Sequence, residues 1–169
     1  MRVSIFAIII LTFLSCGYKP SSVYTKEVLG EKIYAEVDIS LDDPENSVLI
    51  KDALNEAIVS QLRSKIVSKQ EATSKFYITL NSVKFMPIQY DKNGYVVAYK
   101  TYVGLKTKYV DINGKKHDIF TKGDYDFPIK SSSLISDAKR FEAIKFASQK
   151  ALDMVRSQIA IRSIKDDGK

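Results

Sequence analysis

Two Asp-x-Asn-Gly tetrads, Asp91-Lys92-Asn93-Gly94 and Asp111-Ile112-Asn113-Gly114, punctuate the middle of the chain. Asn-Gly suits the tight type I′ hairpin turn, because both central residues of that turn need φ > 0. Two such turns in close succession constrain Lys75 to Ile129 to three long antiparallel strands. In the first strand Phe76, Ile78 and Leu80 share one parity, while Val83 and Phe85 share the other. A bulge near Asn81-Ser82 reconciles them. In the middle strand Tyr95, Val97, Tyr99, Thr101, Val103 and Leu105 form one face.

The flanking segments supply a strand and two helices. Ile33, Ala35, Val37, Ile39 and Leu41 alternate with polar residues and predict a half-buried strand. Asp42-Asp43-Pro44 ends it and opens a helix, with Asp43 as N-cap and Pro44 in the first helical position. Ile50, Ala53, Leu54, Ala57, Ile58, Leu62 and Ile66 recur at helical spacing as its buried stripe. Ser136 caps a last helix with Asp137 just inside, and Ala138, Phe141, Ile144, Ala147, Ala151, Val155 and Ile159 form its stripe. With 169 residues, 45% hydrophobic and 27% charged, the chain makes one domain and is neither disordered nor collagen-like. The expectation is an α+β fold in the order β-α-β-β-β-α: a four-stranded mixed sheet with two helices packed on one face. The domain spans 31–165, and 166–169 form a disordered tail.

The N-terminus points to an exported chain. A single Arg2 precedes an apolar run from Val3 to Leu14, about 18 Å long as a helix and short of the ~30 Å hydrocarbon core of a bilayer. A signal peptide over 1–15 fits that length better than a membrane span. Phe13-Leu14-Ser15-Cys16-Gly17 resembles a bacterial lipobox, with Phe13 where Leu is usual. In that motif the Cys is diacylated on sulfur and becomes the acylated N-terminus, and two acyl chains anchor stably where one binds only marginally. Cys16 is the only Cys of the chain and is the expected lipidation site. Gly17 is not the Asp that favours inner-membrane retention, so outer-membrane anchoring is expected, with residues 16–30 as lipidated start and tether.

Catalytic signatures do not emerge. One Cys and one His are too few for a Cys/His zinc site. The seven glycines are isolated from one another, and no nucleophile elbow or His-Glu-x-x-His helix occurs. His117, beside Lys115 and Lys116, reads as a solvated turn residue. Asp124 and Asp126 share a strand face but have no companion base. The sequence therefore reads as a non-enzyme without metal or other cofactor.

Binding is better supported. The net charge of +6 leaves nucleic acid, anionic lipid and acidic glycolipid open as partners. On the middle strand Lys100, Tyr102, Lys106 and Lys108 share the parity opposite to the apolar face, and Lys116, Phe120 and Lys122 share one on the last strand. Aligned, they would clothe the open sheet face in ammonium groups that pair with phosphates and rings that suit interfaces. An ordinary solvated face would look the same. Export makes nucleic acid a poor partner.

Cys16-Gly17-Tyr18, then strand, helix, three-stranded meander and C-terminal helix, with a basic-Asn-Gly turn at Lys92-Asn93-Gly94, resembles the LptE family of LPS-assembly lipoproteins. Lys19-Pro20 stands where many members carry a His-Leu-Arg-like run. The resemblance implies a plug inside the LptD β-barrel of the outer membrane. It also implies support for that barrel's assembly, and lipopolysaccharide binding on the way to the cell surface. By the same resemblance Lys92, at the basic turn position, is the first candidate for lipopolysaccharide phosphates, and Lys130 in the loop before the last helix is the second. The alternative is a periplasmic lipoprotein that activates or scaffolds a cell-wall or other envelope complex.

Overall fold

The computed structural model describes residues 27–39, 47–62, 65–131 and 133–167. The signal peptide, Cys16, most of the tether and the Asp43-Pro44 helix start lie outside them. Strands β1 (Lys32–Ile39), β2 (Lys65–Ile66), β3 (Ser74–Tyr90), β4 (Val96–Val110) and β5 (Lys116–Pro128) accompany helices α1 (Ser47–Leu62) and α2 (Asp137–Asp167). The sheet order is β2-β1-β3-β4-β5. β1 runs parallel to β2 and β3, whereas β3, β4 and β5 are antiparallel. The sheet is mixed, as expected, but has five strands rather than four. The addition is the two-residue β2, too short to show any alternation. Ile66, counted in the stripe of the first helix, sits on β2 and is 43% exposed.

Alternation builds the core. Ile33 on β1, Phe76, Ile78 and Leu80 on β3, Val103, Leu105 and Tyr109 on β4 and Ile119 on β5 are buried on one sheet face. Ala53, Leu54 and Ile58 of α1 and Ile144, Ala147, Ala151, Val155 and Ile159 of α2 close over them, so both helices cover one face. The parity change in β3 is taken up by a register shift between Leu80 and Ser82, where the bulge was expected. Gly123 lets α2 settle on β5: a Cβ there would lie 2.0 Å from the Ala147 carbonyl oxygen and 2.6 Å from the Ala151 amide.

Both turns differ in type from the sequence expectation. Gly94 N donates to Asp91 O at 3.1 Å and Asp91 N to Tyr95 O at 2.8 Å, while Gly94 has φ 83°. That pattern is a three-residue loop, with Lys92-Asn93 at the turn centre and Gly94 as the left-handed bulge. The Asp91 carboxylate favours it by accepting from the amides of Asn93 and Tyr95, both at 2.9 Å. Asp111 repeats the arrangement with Asn113, Lys115 and Gly114 (φ 78°).

The domain also extends past its expected ends. Residues 27–29 form a helical turn that buries Leu29, whose carbonyl accepts from the hydroxyls of Ser74 and Thr73 at 2.6 and 3.0 Å. At the other end α2 continues through Asp167, so Asp166 and Asp167 are helical. Ser136 caps α2 through Lys139 N at 3.4 Å, but Ala138 lies on its exposed side.

Candidate functional site

The sheet face opposite the helices carries the expected lysines and rings, in register. Lys106 faces Phe120 across β4 and β5, and Tyr77 and Lys84 on β3 face Lys108 and Tyr102. The Lys106 ammonium lies 5.4 Å from the Phe120 ring centre. Interleaved acids temper the charge, since Asp118, Asp124 and Asp126 share that face with Lys116 and Lys122. Lys100 pairs with Asp126 at 3.5 Å, and Lys150 reaches round from α2 to Asp124 at 3.6 Å. Each carboxylate of that Asp pair thus has its own Lys. Among the described residues no group of three His, Cys, Asp or Glu could hold a metal ion.

The far half of the β3–β4 hairpin leaves the cover of the helices. Met86, Ile88, Tyr90 and Tyr95 are exposed there, and Lys92 stands at its tip. The loop from β5 to α2 is fastened to this end. Ser131 Oγ donates to Asp91 Oδ2 at 2.5 Å, and Ile129 N donates to Val97 O at 2.9 Å. The Ser131 hydroxyl and the Tyr95 amide hold the Asp91 carboxyl below its ordinary pKa, so it remains an acceptor for both segments. Lys92 and Lys130, about forty positions apart in sequence, each adjoin one partner of that bond, and both are exposed. Beside them Pro128, Ile129, Lys130, Leu134 and Lys139 line an open cleft of ≈ 470 Å³, with Leu134 96% exposed. The two candidate cations therefore sit at one end of the molecule, Lys130 on the cleft and Lys92 at the hairpin tip. The Asp91–Ser131 bond has no signal in the sequence. Only the Asp-x-Asn-Gly pattern identified one of its partners.

His117 corrects its reading as a solvated turn residue. Its Nε2 lies 2.9 Å from Asp111 Oδ2, its ring stacks on Tyr109 at 4.5 Å between centres, and it is largely buried. Burial pushes the Asp111 carboxyl up, but His117 and the amides of Lys115 and Asn113 outweigh it and hold the pKa below the ordinary value. The pair braces the second turn. A cavity of ≈ 200 Å³ adjoins it, lined also by Arg162 and Ser163 of α2.

The model of the lipopolysaccharide-assembly family LptE matches residues 34–159. No curated protein matches the chain. Among solved structures, a protein of Caulobacter crescentus described as a lipoprotein is similar in fold, with 13% identity and a TM-score of 0.51. The alignment covers 86% of this chain and 96% of that one. An uncharacterized lipoprotein B of Nitrosomonas europaea is 16% identical with a TM-score of 0.43, over 79% of this chain and 84% of that one.

Proposed function

The chain belongs to the lipopolysaccharide-assembly family LptE, and on that premise we propose that it serves at the outer membrane as a lipid-anchored, non-enzymatic subunit of lipopolysaccharide transport. In this reading Cys16 carries the acyl chains, and the domain plugs the LptD β-barrel and supports its assembly. Lys92 and Lys130 contact lipopolysaccharide as it passes to the cell surface. The observation that supports the reading is the Asp91–Ser131 bond, which gathers Lys92, Lys130, the exposed Leu134 and an apolar cleft at one end. Lipopolysaccharide offers phosphates to ammonium groups and acyl chains to apolar surface, so such an end suits both parts of it. The lysines would compete for lipid A and core phosphates and loosen aggregated glycolipid.

Lys92→Glu is expected to weaken lipopolysaccharide binding severalfold to about tenfold, a range set by charge reversal at an exposed site. Its melting temperature should equal that of the parent, because Lys92 is exposed at the tip of a turn. Unchanged affinity in a direct binding assay removes Lys92 from the site. The partner is tested by tagging the C-terminus, extracting the outer membrane in mild detergent and identifying what copurifies. A large β-barrel in near-equal amount is the expected result. A cell-wall synthase in its place would instead make the chain an activator or scaffold of another envelope complex.

A further inference from the structure

We propose that the free edge of β1 is a docking strand for an extended, basic segment of a partner protein, which joins the sheet beside Ala35 and Val37. Docking there is independent of lipopolysaccharide binding. β1 is bordered by β3 from Ile33 to Ile39, but by β2 only at Lys32 and Ile33. Glu31 O and Ile33 O accept from the amides of Lys65 and Val67 on the β2 side, both at 3.0 Å, while Lys32 O accepts from Thr73 N on the β3 side at 2.9 Å. Successive residues of a strand alternate in the direction of their backbone groups, so the odd-numbered residues of β1 turn their amides and carbonyls away from β3. Beyond β2 these outward groups include those of Ala35 and Val37, and among the described residues no hydrogen bond reaches them. From Tyr34 to Ile39 the open edge extends for about 20 Å at 3.3 Å per residue. Unpaired backbone of this kind is a template for a strand of another chain.

Charge around this edge selects the occupant. From Tyr34 to Ile50 the sequence holds five acids, Glu36, Asp38, Asp42, Asp43 and Glu45, and no Lys, Arg or His, in a chain whose net charge is +6. Glu36 and Asp38 are exposed on the sheet face opposite the helices, and the Tyr34 hydroxyl donates to Glu36 Oε2 at 3.1 Å. On β3 they stand beside Tyr77 and Thr79, neither of which is basic. The bases of this corner gather at the foot of the strand instead. Lys32 is level with Lys65 of β2, and Lys75 of β3 is level with Tyr34. The Lys69 ammonium lies 5.8 and 5.5 Å from the ring centres of Tyr34 and Tyr77. β2 thus covers the basic end of β1 and leaves the acidic end open.

The other parity of β1 supplies the second half of the pattern. Ala35 and Val37 are half-buried and pack against the core on the helix side, so a strand laid beside them extends that apolar layer with every second residue. Its intervening residues come level with Glu36 and Asp38. Opposite charges directly across a strand pair stabilise it, and like charges oppose it. The occupant is therefore an extended segment in which Lys or Arg alternates with a small or branched apolar residue. A second copy of this chain does not fit, because pairing β1 with β1 sets Glu36 and Asp38 against the same acids. In strand addition the backbone bonds supply affinity, and the alternate side chains supply the choice of partner.

The test uses the full chain in mild detergent and short synthetic peptides. One alternates Lys and Val, one alternates Glu and Val, and one gathers the Lys and Val of the first into two blocks. By fluorescence anisotropy the alternating Lys-Val peptide should bind at least about tenfold more tightly than either of the others. It should also slow hydrogen exchange at the amides of Ala35 and Val37. Val37→Pro removes an outward amide and no β3 bond, a change that edge strands tolerate. It should weaken binding about tenfold while the melting temperature stays close to that of the parent. Glu36→Lys with Asp38→Lys, both at exposed positions, should reverse the preference toward the Glu-Val peptide, and this variant decides the matter even if the proline variant does not fold. Equal binding of the Lys-Val and Glu-Val peptides, a preference indifferent to the charge swap, or protection confined to another part of the sheet would each overturn the docking. Ala35 and Val37 amides already protected in the chain alone would overturn it too, since the edge would then be occupied by the chain itself.

Discussion

Gly123→Ala tests the closest approach in the fold. The added Cβ would stand 2.0 Å from the Ala147 carbonyl oxygen and 2.6 Å from the Ala151 amide nitrogen. Both are backbone atoms of α2, so no rotamer change relieves the clash, and the helix must lift off β5 by more than 1 Å on the order of the contact deficit. Overpacking of that kind costs about 1–3 kcal/mol, and displacement of the buried Ala147, Ala151 and Val155 places this site at the upper end or beyond. The smaller conformational freedom of the unfolded Ala chain offsets only about 0.4–1 kcal/mol. A net loss of about 2–3 kcal/mol corresponds to a fall of roughly 4–12 °C in melting temperature for a domain of this size. Gly104→Ala is the control, because its Cβ would meet the Ser82 hydroxyl at 2.7 Å, the end of a side chain that can rotate. Thermal melts followed by circular dichroism should separate the two variants clearly. Equal melting temperatures for Gly123→Ala, Gly104→Ala and the parent would refute the packing argument.

Two further substitutions address buried polar groups. Among the described residues the buried Thr121 hydroxyl has no hydrogen-bond partner, so Thr121→Val should leave stability unchanged or raise it by about 1 kcal/mol in a urea titration. Asp111 has its folded pKa held below the ordinary value by its hydrogen bonds. Its contribution is therefore present above the unfolded pKa of about 4 and is lost as pH falls through that value toward the folded one. Asp111→Asn should cost about 1–2 kcal/mol at neutral pH and flatten the acid side of the stability curve, as read from denaturant midpoints between about pH 6 and 3.

Elements governed by neighbours in sequence were legible before the structure. Alternation on β3 located its bulge near Asn81-Ser82, and Ser136 marked the start of α2. Spacing alone carried the stripe of α1 on to Ile66, because periodicity does not register that the helix stops at Leu62 and a two-residue strand follows. Asn-Gly pointed to the turns but not to their type, which the carboxylates of Asp91 and Asp111 decide by accepting from their own loop amides. Leu29 shows the same limit: its burial depends on Thr73 and Ser74, more than forty residues away. The candidate site was half legible. Lys92 and Lys130 stood out as cations, while their meeting at one end rests on a bond between Asp91 and Ser131 that only the folded chain brings together.

The two turns, alike in sequence, stand at opposite ends of β4, whose 15 residues extend for about 50 Å at 3.4 Å each. Ile112 in one of them is bonded to Val28, where the N-terminal segment enters the domain. Lys92 occupies the other. β4 is thus a measuring rod between mooring and reach: whatever holds the N-terminal segment and whatever Lys92 touches are kept about 50 Å apart by one rigid strand.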